Sequence, residues 1–238
     1  MADASDPPRV EVRWTPCYRI IPSRFPPIQL FERVADPQDL DAVFAVESLT
    51  NSRLRDEVGE LSHVLPGDRV TGPGASWIMA PFTHLLSPGV RFSTPHFGAY
   101  YAAPDLLTAI VETVYHRQRF LAATHEAPTE LDMRVLQAQL HGELHDLRGQ
   151  REVRRDLYDP DTYHASQRFA TIMRERGSTG IVYDSVRHAE GQCAAIFTPR
   201  ALSKCRQGAH LTYVWDGARI TSGYEKSGLR QFVAGRHS

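Results

Sequence analysis

Apolar and polar residues alternate from Val10 to Ile21 closely enough to predict a β-strand, with Arg19 near its end. Prolines break Ser23–Pro27 into a loop. Asp36-Pro37 has the form of a helix start, Asp as N-cap and Pro in the first turn. Leu40, Val43, Phe44, Leu49, Leu54, Val58 and Leu61 then keep a helical period over one long or two broken helices. Glycine and proline crowd residues 66–88, which predicts a long ordered loop or short helical turns around Trp77 and Phe82. Strands are expected near Gly89–Ser93 and Ala99–Ala102, a helix from Pro104 to about Ala122, and a strand over Glu130–Leu136. Thr162 or Ser166 can cap a helix whose apolar stripe is Phe169, Ile172 and Met173, closing at Gly177. Gly180–Ser185 and Cys193–Phe197 read as two short buried strands around a polar turn. Asp216-Gly217, between His210–Trp215 and Ala218–Ser222, signals a hairpin.

Strands and helices mix without a regular strand–helix alternation. The expected class is therefore α+β: a single domain with a mixed or antiparallel β core and flanking helices. Residues 1–8 are expected to be a mobile tail before one domain over residues 9–238.

Composition narrows the function classes. With 238 residues, 42% apolar and 23% charged, the chain has the make-up of a soluble globular protein able to bury a core. No run approaches the roughly 20 apolar residues that span a bilayer. The start, Met1-Ala-Asp-Ala-Ser-Asp, lacks the basic and apolar regions of a signal peptide. Cys17, Cys193 and Cys205 are few, odd in number and widely separated, which suggests reduced thiols in a cytoplasmic protein. A formal charge of −1, with no basic recognition helix, argues against nucleic-acid binding. Of 27 basic residues only Lys204 and Lys226 are lysines, and arginine forks suit phosphates.

Several familiar motifs are missing. No Gly-x-Gly-x-x-Gly follows a strand and no Gly-Lys-Ser/Thr occurs. His141-Gly-Glu-Leu-His145 could set two histidines on one helix face, but it has an internal glycine, no zincin spacing and no third ligand, so no metal site is expected. The stretch Arg148–Arg155 reads as a solvated face or loop.

The densest chemistry runs from Arg91 through Tyr100-Tyr101 to Glu112. A cation, an aromatic ring and a carboxylate on three successive elements suit an anionic, ring-bearing ligand and a developing positive charge. On the helix after Pro104, Leu106, Leu107, Ile110, Val111, Val114 and Tyr115 form an apolar face. Glu112 lies off that face, in a stripe with Thr108 and His116, which would wall a cleft facing the two preceding strands. Each residue also has an ordinary alternative: an exposed glutamate, cross-strand partners for Arg19 and Arg91, a core ring for Tyr101, a turn residue for Ser185. Periodicity does not choose between them.

In order along the chain, Tyr18-Arg19-Ile20, Gly89-Val-Arg91-Phe, Tyr100-Tyr101-Ala-Ala-Pro-Asp-Leu-Leu-Thr-Ala-Ile-Val-Glu112 and Gly180-Ile-Val-Tyr-Asp-Ser185-Val-Arg187 resemble the RES domain. That family is named for an arginine, a glutamate and a serine, and Gly191-Gln-Cys-Ala-Ala-Ile-Phe-Thr-Pro is similar to its closing strand. The resemblance spans roughly Tyr18 to Pro199. It departs from the family at Val90-Arg91-Phe92, where Gly-Arg-Trp is frequent, and in a long Pro27–Ser87 interval, so that residues 28–88 are expected to be an insertion.

The resemblance implies an ADP-ribosyltransferase-like fold and the role of toxin in a bacterial toxin–antitoxin pair. NAD+ would be the substrate, with no metal. The partner would be an Xre-type helix-turn-helix antitoxin in a hetero-oligomer. Glu112 would stabilise the ribosyl cation, Arg91 and Arg19 would bind the pyrophosphate, Tyr101 would stack near nicotinamide, and Ser185 would bond the ribose or orient Glu112. The insertion tilts the expected acceptor of ADP-ribose toward a host protein. The alternatives are phosphate or water, giving an NAD+ phosphorylase or glycohydrolase, or a binding module in which Arg91 and Glu112 form a structural ion pair.

Overall fold

Long strands carry this fold. A computed structural model describes residues 6–23, 30–34, 36–50 and 58–226. In chain order the elements are β1 (Arg9–Pro22), α1 (Leu30–Arg33), α2 (Leu40–Thr50), α3 (Ala75–Thr83), β2 (Tyr100–Ala102), α4 (Leu106–Ala123), β3 (Thr129–Asp146), α5 (His164–Glu175), β4 (Gly180–Asp184), β5 (Gln192–Ile196), β6 (Leu202–Trp215) and β7 (Ile220–Glu225). The α+β class expected from the sequence is the one observed. Among the described residues no helix is long and apolar enough to cross a membrane.

The strands join in the order β2-β5-β4-β3-β6-β7, with β1 paired to β3. All pairings are antiparallel except β3–β4, which meet only at His145↔Ile181 and Asp146↔Val182. One further contact changes the shape. Tyr18 and Ala103 exchange backbone hydrogen bonds of 2.8 and 3.0 Å, tying β1 to the end of β2. The circuit β1-β3-β4-β5-β2 therefore closes on itself, while β6 and β7 extend the sheet beyond it.

Three apolar layers pack on these strands. The first holds Val12, Tyr100, Leu136, Leu140, Leu144 and Ile196. It also takes Phe31, Leu40, Leu61, Val64, Ile78, Met79 and Phe82, so the described part of the 28–88 segment contributes to the main core. The second joins Phe92, Phe97, Leu157, Met173, Tyr183 and Cys193. The third places Leu106, Ala109, Ile110 and Val114 of α4 on Ile20, Met133 and Val135.

Local departures from the sequence pattern have physical causes. Gly89–Ser93 is a tight turn, not a strand: Ser93 N–H bonds Val90 O at 3.2 Å, and Gly89 has φ +88°, where a Cβ would meet Ser93 O at 2.4 Å. The interval around Trp77 and Phe82 is a nine-residue helix despite its internal Pro81. β3 runs on to Asp146, so His141 and His145 lie on a strand, not a helix. His141 pairs with Glu11 at 2.9 Å, whereas His145 is buried against Ser178 at 2.7 Å. The Arg148–Arg155 stretch forms turns, yet it is not merely solvated: Arg148 binds Asp146 and Gln192, and Arg151 donates to Ser185 O at 2.5 Å. Residues 1–5 lie outside the described residues; Asp6 pairs with Arg176 and Pro8 O accepts from Asp146 N–H at 2.8 Å.

Candidate active site

Helix α4 supplies the carboxylate. Asp105 caps it, accepting from Thr108 N–H at 2.8 Å. Its buried face is narrower than the apolar stripe suggests: Leu107 is 57% exposed, and Ala109, Ile110 and Val114 make the contact with the sheet. The polar stripe of Thr108 and Glu112 is turned toward the β4–β5 connection, later in the chain, and not toward the two preceding strands. There the Ser185 hydroxyl donates to Glu112 Oε1 at 2.6 Å, and the Cys193 thiol lies 3.8 Å from the same oxygen.

Ser185 is fully buried and its bonding is complete. The backbone N–H groups of Arg187 and His188 donate to its Oγ at 3.2 and 2.9 Å. Both lone-pair directions are thus used, and the one proton goes to Glu112. Glu112 Oε1 is thus the acceptor of the Ser185 proton. Its second oxygen, Oε2, takes no hydrogen bond from any described residue.

The sheet face beside Glu112 is aromatic. Tyr101 stands opposite Ala195, and Tyr183 opposite Cys193, so these side chains share one face of β2, β5 and β4. Burial pushes the Tyr101 phenol up to about 12, against the pull of hydrogen bonds from Ser93 and Phe92 and of the charges on Arg19 and Arg91. It is a neutral phenol at pH 7, and its oxygen accepts from Phe92 N–H at 3.2 Å. Burial also drives Tyr183 upward, helped by Cys193 and Glu112 and opposed by Arg91. The charges of both Glu112 and Arg91 thus reach Tyr183.

Arg91 comes from the tight turn. Gln167 of α5 fixes that turn through Pro88 O and Val90 O, at 3.1 and 3.2 Å. The Arg91 guanidinium is 7% exposed, donates to Leu157 O at 2.8 Å and stacks 4.9 Å over the Tyr163 ring. Arg19 approaches from the other side of β2: it lies 4.8 Å over the Tyr100 ring and reaches Tyr101 only at its carbonyl, 3.3 Å away. Among the described residues, neither guanidinium has a carboxylate partner. Each is a largely desolvated cation, and the two lie on different sides of β2.

The structure thus unites Glu112 with Ser185, sets Tyr101 beside the Arg91 turn, and leaves Arg19 behind β2. It also adds residues that the sequence pattern did not single out. Cys193 touches Glu112; Tyr163 supports Arg91; Arg187 stacks 3.3 Å over Tyr115 and donates to Pro160 O. Thr108 stood in the Glu112 stripe, but nothing in its spacing pointed to His188, which it meets at 2.8 Å.

Comparison with known proteins supports the RES resemblance over the blocks from Gly89 onward. Residues 68–216 match the model of the RES domain. The chain is 34% identical over 208 residues to uncharacterized protein y4oC of Sinorhizobium fredii (strain NBRC 101917 / NGR234), covering 86% of this chain and 84% of that protein. Among solved structures it is similar to a chain in the crystal structure of the M. tuberculosis MbcT–MbcA toxin–antitoxin complex, with 12% identity and a TM-score of 0.44 over 92% of this chain and 86% of that one.

Proposed function

The chain belongs to the RES-domain family, and from that premise we propose that it is an NAD+-consuming toxin that cleaves the nicotinamide–ribose bond. The observation that carries this reading is a carboxylate oriented by Ser185 together with two cations, Arg91 and Arg19, that have no carboxylate partner among the described residues. An NAD+ molecule presents a pyrophosphate to the cations and a ribose to the carboxylate. Nicotinamide departs as a neutral base, so strong general-acid assistance is unnecessary. The ribose passes through a cation like the oxocarbenium state of glycoside hydrolysis.

Each residue has a defined part. Ser185 aims Glu112 by donating to Oε1, leaving Oε2 for the ribose. Arg91 binds the pyrophosphate with the donors not used by Leu157 O, and Arg19 adds positive potential from behind β2. Tyr101 walls the nicotinamide side as a neutral ring. The binding-module alternative needed an Arg91–Glu112 ion pair; Glu112 instead bonds Ser185.

The acceptor of ADP-ribose is a protein side chain, phosphate or water. The protein acceptor was favoured by reading residues 28–88 as a substrate-facing insertion. The packing of the described part of that segment into the main core favours a small acceptor, and hence NAD+ phosphorolysis or hydrolysis. Labelled NAD+ incubated with a cell extract separates these: a labelled protein band supports transfer, and free ADP-ribose or its phosphate supports the small acceptors. An Xre-type antitoxin is the proposed partner, and its co-expression should relieve growth inhibition.

Glu112→Gln tests the core of the reading. It should retain the fold and bind NAD+, while nicotinamide release falls by roughly 10²–10³, the usual effect of removing one preorganised electrostatic group. Equal release by wild type and variant would end the assignment.

A further inference from the structure

The β4–β5 turn that carries Ser185 is fastened to helix α4 by a chain of three side chains. Thr108 Oγ1 lies 2.7 Å from Asp105 Oδ2 and 2.8 Å from His188 Nδ1. Thr108 is fully buried. Its single proton must go to the Asp105 carboxylate, which already accepts the Thr108 N–H as helix cap and cannot donate. The hydroxyl therefore accepts from His188, which must carry its proton on Nδ1. His188 also gives its backbone N–H to Ser185 Oγ. One residue thus connects the helix cap to the serine that aims Glu112.

Gly191 makes this approach feasible. A Cβ there would fall 2.5 Å from Thr108 Oγ1 and 2.8 Å from His188 Nδ1. The same glycine closes the turn: its O accepts from Ser185 N–H at 2.8 Å and its N–H donates to His188 O at 3.0 Å. Among the described residues the turn's side chains meet α4 at this bond, at Ser185–Glu112, and at Arg187, which stacks over the Tyr115 ring.

We propose that His188 is a positioning residue: through its Nδ1–H bond to Thr108 it latches the Ser185 turn onto α4 and so sets the geometry of Glu112. This rests on the reading of Glu112 as the group that stabilises the ribosyl cation. The latch itself is independent of turnover, because Asp105, Thr108, His188 and Ser185 form one continuous hydrogen-bond path with Glu112 at its end.

The design of the variants follows from atom positions. Thr108→Val keeps shape and loses the hydroxyl; His188→Leu loses the donor. His188→Asn places an amide N–H close to where Nδ1 sits, whereas His188→Gln places it where Nε2 sits. Thr108→Val and His188→Leu should lower kcat for nicotinamide release roughly 10–100-fold, the scale of a catalytic group displaced by about 1 Å, with KM little changed. His188→Asn should restore kcat to within a few-fold of wild type, and the Thr108→Val/His188→Leu double variant should be no worse than the poorer single one. Amide exchange at Arg187 and His188, whose N–H groups bond Ser185 Oγ, reads the same latch without turnover. Protection should fall in Thr108→Val and His188→Leu and persist in His188→Asn. Wild-type kcat and protection in both disrupting variants would overturn the proposal, as would rescue by His188→Gln in place of His188→Asn. Absence of NAD+ consumption by the wild type would instead refute the functional reading, with the exchange data still deciding the latch.

Discussion

Ser185 illustrates how one hydroxyl can orient a neighbour. Two backbone N–H groups occupy its oxygen, so its proton has a single destination, Glu112 Oε1. Ser185→Ala removes a hydrogen bond to a charged group, worth about 1.5–3 kcal/mol, and kcat for nicotinamide release should drop on the order of 10–100-fold. It also strands two buried N–H groups, so thermal unfolding should reveal a loss of about 1–3 kcal/mol. Full activity in a stably folded Ser185→Ala protein would show that Glu112 is aimed by other means. At this scale the sequence was informative where a residue type stood alone in its surroundings: Glu112 off an apolar helix face, Arg91 after a glycine, Ser185 at a strand end. Cys193 and His188 were hidden, because their roles depend on contacts across 81 and 80 positions of chain. Nothing in local spacing encodes such contacts.

Among the elements, β3 has the most demanding position, since β1 lies along one edge while β6 and then β4 share the other. Its N-terminal half alternates cleanly, and the strand was legible there. Beyond Arg134 the β3–β6 ladder shifts register twice, between Arg134/Leu136 and Gln137/Gln139. In each, three steps of β6 match two of β3, so the extra residue lies in β6. The β3 pattern faltered at Val135-Leu136, where Met133 and Val135 face one apolar cluster and Leu136, Ala138 and Leu140 another, and the reading ended ten residues before the strand did. Helix α3 escaped for a related reason: Pro81 and an N-capping Gly74 disguise it as a loop. At the β3–β4 junction His145 is buried, close to Arg9, and hydrogen-bonded to Ser178. Burial first, then the Arg9 charge, pulls its pKa below the ordinary value of about 6.5, outweighing the opposite pull of Asp6 and Glu143. The unfolded chain therefore binds this proton more readily than the folded one. Stability should fall as pH drops from about 6.5 toward the depressed folded pKa, and stay level in this respect below it. Urea titrations of wild type and His145→Gln at a series of pH values should show that slope only in the wild type; parallel curves would place the pH dependence elsewhere.

For the molecule as a whole, closure of β1-β3-β4-β5-β2 is the step that draws distant parts of the chain together. Residues 19, 91, 101, 112 and 185 come from five parts of the chain, and the Tyr18–Ala103 bridge brings the first of them to the strand that carries the third. That bridge lies outside any regular ladder, so no periodic pattern announces it. The strands and α4 could be read from sequence, but their closure into a ring could not. The ring sets positive charge at the Arg91 turn and behind β2 and negative charge on α4, and Tyr101 and Tyr183 share one face of its strands. A dinucleotide that bridges the two ends would bind the closed molecule and not the unfolded chain. In the Glu112→Gln protein, where the substrate survives, NAD+ at 100 times its Kd should add about 2.7 kcal/mol of stability, or a rise of about 5–10 °C in Tm for a chain of this length. Replacing Arg91 by Lys keeps the charge but loses the planar fork, and should abolish most of that rise. Arg19→Ala, whose charge acts from behind β2, should reduce it less. A Tm shift that survives in Arg91→Lys would mean that the pyrophosphate is held elsewhere, and would separate the cationic end of the site from the carboxylate end.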